Sequence, residues 1–207
     1  MFIIFGVRTR PSKVSEGEFF CPRCGADRHY ALQKLRQWFT LFFLPVIPMG
    51  WVGGEQVKCQ TCATAFRPEV LQTPTSAALT DGIRDTMRVA AVAMLKAGNS
   101  WDGDARRVAV DAIVSAGAVG YNDGHLTEDL YSQNTTQLTA QVGQLVRGLN
   151  DQGREMFITR LAQIAVADGP VSDSERSVLD AVGAALGLSA AHVLGIMTSV
   201  ANAPRPY

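Results

Sequence analysis

The sequence has no cysteine beyond Cys62, no surplus of charge of either sign, and no apolar run of the roughly 18–20 residues that a membrane-spanning helix needs. Its 19 Lys and Arg balance 19 Asp and Glu, which excludes a uniformly basic nucleic-acid coat and an acidic tail but leaves local patches open. Charged residues make up 18% and hydrophobic residues 47%, too apolar for disorder and too poorly charged for a long solvated coiled coil. The opening MFIIFGV lacks the basic leader and full apolar segment of a secretory signal, so a cytoplasmic location is expected. Catalytic signatures are missing as well: there is no nucleophile elbow, phosphate loop or dinucleotide fingerprint. His125 and His192 are the histidines of the second half: His125 adjoins an acidic turn and is expected in solvent, joining a metal site being the alternative, and His192 has no acid–base partner legible in the sequence. An enzyme is not expected. A chain of 207 residues accommodates one or two domains.

What is present begins with the four cysteines, Cys21, Cys24, Cys59 and Cys62, in two C-x-x-C pairs separated by 34 residues. Each pair offers two thiolates from one tight turn, and two such turns supply a tetrahedral set for Zn²⁺. Gly25 lets the chain curl beneath the metal. Two disulfides or a redox pair are the alternatives, disfavoured by a cytosolic setting and by the doubling. Four thiolates leave no vertex for water, so one structural zinc is expected rather than a hydrolytic one. His29, five positions past Cys24, reads as a surface residue.

Residues 1–70 read as a small β domain, with a strand over Met1–Val7 and a polar turn through Thr9–Glu18. Between the cysteine pairs, WFTLFFLPVIPMGW spans Trp38–Trp51, and Pro45 and Pro48 argue for short strands or a hairpin arm over a helix. A zinc module has a thin core. Packing on the first strand or on the rest of the chain is the plainer fate of this segment. The sharper reading is an exposed patch, Trp38, Phe39, Phe42, Phe43 and Trp51, that docks a protein partner or a membrane surface.

Beyond Phe66 aromatics become scarce and helical periodicity appears. The stretch RPEVLQTPTS reads as a linker, with Thr73–Pro74 as cap and first turn of a helix over Ala77–Ala97. Further helices are expected over Asp104–Ala118, Thr136–Leu149, Arg154–Ala167 and Asp173–Leu186, with a last one capped by Ser189. The fold class is therefore mainly α: a small β ribbon over 1–70, then an all-α bundle of six or seven helices over 75–203.

Two acidic turns lie 45 residues apart, GYNDGHLTED from Gly120 and AVADGPVSDS from Ala165. Both read as a helix ending at Asp-Gly, a weak sign of internal duplication. Ser172 and Glu175 make a capping box, and Thr127 is the cap expected in the first turn. Capping explains most of the pattern. The alternative is that Asp168, Asp173, Glu175 and Asp123, with Glu128 and Asp129, supply oxygen ligands to Ca²⁺ or Mg²⁺, although the spacing is not that of an EF-hand.

The segment IAVADGPVSDSERSVLDAVGAALGLS, Ile164–Ser189, resembles the signature of the tellurite-resistance protein B (TerB-like) domain. The resemblance extends more loosely back to about residue 75 and implies an all-α fold with pseudo-repeats. It also implies metal-binding acids, which land on Asp168 and Glu175 and less directly on Asp123, while Leu130 departs from the pattern. Residues 1–66 are similar to a bacterial zinc-ribbon family in their cysteines and aromatic–proline stretch. Together these imply a non-catalytic adaptor in stress or tellurite resistance, in or near a membrane-associated complex. The competing function is nucleic-acid binding by the ribbon, whose residues 1–70 hold nine Lys and Arg against five Asp and Glu. Arg8, Arg10, Lys13, Arg23, Arg28, Lys34 and Arg36 would meet phosphates. A zinc–tetrathiolate cluster of charge about −2 erodes that excess, so a solvated polar face is preferred.

Overall fold

The computed structural model describes residues 5–41, 44–100 and 103–203. The chain divides into two compact units, Met1–Ala77 and Ala78–Tyr207.

The first unit is an antiparallel sheet in the order β1 (Phe5–Cys21), β2 (Ala26–Leu41), β3 (Leu44–Cys59) and β4 (Ala65–Phe66), followed by a 3₁₀ turn over Pro68–Gln72. The strand expected over Met1–Val7 is present from Phe5 to Val7, its first four residues lying outside the described ones, and it runs on to Cys21. Thr9–Glu18 is no turn but the middle of β1, paired from Phe5↔Leu41 to Cys21↔Ala26. Its side chains are polar because most of this strand is solvated, so it carries no run of apolar residues to announce it. At about 3.3 Å per residue, the three long strands extend roughly 50 Å from the cysteine end to the hairpin end. Among the described residues the core of this unit sits at the cysteine end, where Phe19, Val57, Cys21 and Cys59 are buried with Tyr30, Leu32, Phe66, Val70 and Leu71 packed around them. Phe19 meets Tyr30 and Phe66 edge-on, with ring centroids 5.6 and 5.9 Å away. The Trp38–Trp51 segment forms the expected hairpin arm, its register interrupted beside Pro45 and Pro48, where a missing N–H breaks the ladder.

Among the described residues the second unit contains seven helices: α1 (Ser76–Gly98), α2 (Asp104–Ser115), α3 (Asp123–Ser132), α4 (Leu138–Leu145), α5 (Asp151–Ala167), α6 (Asp173–Ala185) and α7 (Ala190–Asn202). From Val89 to Leu95 every residue of α1 is buried, so this stretch of the helix is enclosed on all sides, whereas residues 76–85 are exposed or half-buried. The α5 helix buries Phe157, Ile158, Leu161, Ala162, Ile164 and Ala165, the three- and four-residue steps of one face, and packs against α2, α6 and α7. Helix ends differ from the expectation in places. Thr73 is extended and closes the 3₁₀ turn, so it does not cap α1. α5 starts at Asp151, three residues before the expected Arg154, with the Asn150 side chain accepting from Gly153 N.

The α6–α7 contact gives a direct packing prediction. A Cβ on the buried Gly183 would stand 2.4 Å from Val193 Cγ2. Gly183→Ala is expected to destabilise the helical unit by about 2 kcal/mol through overpacking, measured by chemical denaturation; Gly143→Ala, where a Cβ meets nothing within 4 Å, serves as the control.

Candidate metal centre

The two C-x-x-C turns fold alike. Cys21 closes β1 and Cys59 closes β3, and in each turn the residue after the second cysteine donates its N–H back to the first cysteine's carbonyl. These bonds are Gly25 N to Cys21 O at 2.9 Å and Ala63 N to Cys59 O at 3.0 Å. Both residues take a left-handed backbone, φ 64° at Gly25 and 58° at Ala63. Glycine does this freely, whereas Ala63 carries about 1 kcal/mol of strain. Cys59 N donates to Thr64 O at 3.0 Å, completing the second turn.

The result is convergence of all four sulfurs. Their Sγ atoms lie within 4.8 Å of one another, and Cys21 Sγ and Cys62 Sγ are 3.8 Å apart. A tetrahedron with metal–sulfur bonds of about 2.3 Å has sulfur–sulfur edges of about 3.8 Å, so the donor set fits such an ion. All four cysteines are free thiols, not the paired disulfides weighed above. Burial pushes the Cys24 thiol up to about 12, aided by bonds to Cys21 and Cys62. Hydrogen bonds from the Thr64 side chain and backbone pull Cys62 down to about 6. Four thiolates brought this close need a cation to offset their charge. His29 is exposed and faces Glu18 at 3.6 Å, away from ligand duty.

Among the described residues, these cysteines are the group of three or more His, Cys, Asp or Glu side chains whose ligand atoms converge. The acidic residues weighed for Ca²⁺ or Mg²⁺ are not brought together, and each has a local role. Asp168 Oδ1 accepts from Ala105 N at 2.9 Å at the start of α2. Glu175 is buried in the capping box, with Ser172 N on its Oε2 at 2.8 Å. Asp173 is exposed in the first turn of α6. Asp123 pairs with Arg106 at 2.6 Å.

The supposed first acidic turn is in fact the start of a helix. Asn122, not Thr127, is the N-cap of α3, accepting from Gly124 N and His125 N, and Thr127 donates back to Asp123 O within the helix. One Asp-Gly therefore opens a helix while the other follows the end of α5, so the geometry does not repeat. Asp129 is buried. It receives Arg88 through bonds of 2.8–3.0 Å, the Tyr121 hydroxyl at 2.6 Å and Gln133 Nε2 at 3.3 Å. Burial opposes its charge, but the Tyr121 and Arg88 bonds outweigh burial and hold its carboxyl below the usual range. His192, without a legible partner in the sequence, meets Glu155 at 3.0 Å; His125 is exposed and stacks on Tyr121.

The basic residues of the ribbon are largely engaged. Lys13 pairs with Glu16, Lys34 lies 3.8 Å from Glu55, and Arg23 donates to Thr64 Oγ1. Arg36 stacks over both Trp38 and Trp51, 5.6 and 5.1 Å from the ring centroids. Of the docking residues expected from the sequence, Trp51 is exposed and Trp38 and Phe39 are half-buried. Phe42 and Phe43 lie outside the described residues. The most exposed apolar side chains of the arm are instead the β3 aliphatics Leu44, Val46, Ile47 and Met49, which aromatic content alone did not mark. Among the described residues no helix is long and apolar enough to cross a membrane.

Comparison with known proteins places the helical unit. The family model described as Tellurite resistance protein TerB matches residues 90–197. No curated protein and no solved structure gives a significant match.

Proposed function

Because the chain belongs to the tellurite resistance protein TerB family, we propose that it is a non-catalytic, zinc-binding adaptor that works by contact in a stress or tellurite-resistance complex near the membrane. The observation that carries this reading is the closed set of four convergent thiolates. The ion would be Zn²⁺, held by Cys21, Cys24, Cys59 and Cys62, and four sulfurs leave no position for a reacting water. Its task is to clamp two turns at the base of a sheet whose far end has almost no core of its own. The arm then presents Trp38, Phe39 and Trp51, with the β3 aliphatics, to a partner.

Affinity purification from native cells, membrane fraction included, tests the reading. Partners are expected to disappear when Trp38, Phe39 and Trp51 are changed to alanine, with zinc content retained; an unchanged set of partners overturns it.

Nucleic-acid binding is the second reading. It is favoured by one observation: Arg8, Arg10 and Arg36 share a sheet face with Trp38 and Trp51, the mix of cations and stacking rings used for single strands. Against it, Lys34 faces Glu55 and Arg23 bonds Thr64. A salt-sensitive gel shift at low ionic strength would support it, and no shift would remove it.

A further inference from the structure

The end of the hairpin arm is layered in a way that a protein surface would not require. From Trp38 to Gly54 the sequence contains no Asp, Glu, Lys or Arg. Residues paired directly across an antiparallel ladder share a face, so the register sorts the side chains into rows. Nearest the turn, Leu41 pairs with Leu44, and Val7, Phe39 and Ile47 form one row. Leu44 is 68% exposed, Ile47 55% and Met49 58%. The next row towards the cysteines is Arg8, Trp38 and Pro48, and the one two residues further is Arg10, Arg36 and Trp51. Beyond it come the ion pairs Lys34–Glu55 and Lys13–Glu16. An apolar tip, a belt of indoles and cations, and a polar base follow one another along a single sheet.

We propose that this tip docks in the interface of an anionic phospholipid bilayer, with Leu44, Val46 and Ile47 among the acyl-chain ends and Arg8, Arg10 and Arg36 at the headgroups. The proposal rests on the contact reading above and names the partner of the arm. From the Leu41–Leu44 pair to the Arg8–Trp38 row is about three residues, or roughly 10 Å, comparable to the roughly 5–10 Å to which interfacial segments penetrate. Tryptophan and arginine favour the headgroup level, where ring, charge and water are all accommodated. The charge matches: three cations face the level of lipid phosphate, and from Trp38 to Gly54 there is no acid to oppose them.

Depth is limited by the backbone. The sheet is open, and its edge N–H and C=O groups would go unsatisfied in hydrocarbon, so the tip enters the interface without spanning. The same edges disfavour a second copy or a peptide adding as a strand. Pro11 and the irregularity at Lys13/Ser15 interrupt the β1 edge, and Pro45 and Pro48 interrupt the β3 edge. A surface without directional hydrogen bonds suits this arm better than another strand.

The test is co-sedimentation of the full zinc-loaded chain with vesicles of phosphatidylcholine alone or mixed with phosphatidylglycerol. The chain is expected to bind the mixed vesicles about tenfold more tightly than neutral ones, a preference that high salt reduces. Leu44→Glu combined with Ile47→Glu is expected to abolish binding to both, and Arg8→Gln with Arg10→Gln to remove the anionic preference; zinc content and circular dichroism confirm that each variant is folded. Failure of the zinc-loaded chain to sediment with the mixed vesicles, or sedimentation undiminished by Leu44→Glu with Ile47→Glu, overturns the proposal. If vesicle binding fails while alanine changes in the arm still remove a protein from affinity purifications, the contact reading stands and the lipid assignment falls. If vesicles bind and no protein is lost, the protein-partner form of that reading falls instead.

Discussion

Stripping the metal with a strong chelator is expected to unfold residues 5–66 and leave the helical unit intact. Among the described residues the core cluster of the ribbon buries Phe19, Val57 and two cysteines, and small domains rarely draw more than about 3–5 kcal/mol from such a core. Structural zinc in comparable modules contributes about 10–16 kcal/mol of binding free energy near neutral pH. Without it the balance reverses. The helical unit has its own core, from Met87 on α1 to Met197 on α7, and uses none of the thiolates. Limited proteolysis should then cut between Arg23 and Lys58 while the region from Ala78 onward stays protected, and far-ultraviolet circular dichroism should keep its helical signal. Cys59→Ser is expected to mimic the chelator. A ribbon that stays protected after chelation would show that the sheet, not the metal, holds it.

The second large effect concerns Arg88. Its guanidinium compensates Asp129, whose side chain is 7% exposed while that of Arg88 is 32% exposed. The asymmetry decides which deletion does more harm. Removing Asp129 leaves a cation that can still reach water, but removing Arg88 strands a buried carboxylate with Tyr121 and Gln133 alone. Arg88→Met is therefore expected to destabilise the helical unit by about 3 kcal/mol at neutral pH, and Asp129→Ala by less. Tyr121→Phe should lose about 1 kcal/mol, one hydrogen bond.

The pH dependence follows from the direction of the Asp129 shift. Its folded-state carboxyl is held below the usual range. The stabilisation is thus fully present above the unfolded value of about 3.9 and is lost as pH falls through the lower, folded value. In Arg88→Met burial acts unopposed by the guanidinium, so the carboxyl there takes a proton earlier. The gap between wild type and Arg88→Met in denaturant titrations should be widest near pH 7 and narrow below about pH 4. A gap independent of pH would mean that Arg88 acts through packing of its stem.

These two sites show what could be read from the chain and what could not. Cys21, Cys24, Cys59 and Cys62 were legible because a short-range spacing encodes each turn and the doubling implies their meeting. The Ser172–Glu175 box was legible for the same reason: its partners are three residues apart. The Arg88–Asp129 pair joins residues 41 positions apart, and no local pattern announces it. Asn122–Asp123–Gly124 looks like a loop in composition, yet the Asn122 side chain caps α3, so turn-forming residues were also helix-starting ones. Only the start of β1 was legible, because a strand with solvent on most of its length lacks the alternation by which strands are recognised. Membership of the TerB family covers residues 90–197 and accounts for the helices, not for the arm.

The account depends most on what the four sulfurs hold, and X-ray absorption at the metal edge of the protein purified without added metal measures it directly. The prediction is zinc at about one per chain, ringed by four sulfurs at about 2.3 Å with no nitrogen or oxygen neighbour. A mixed shell, a different metal, or a metal-free chain that stays folded would contradict it.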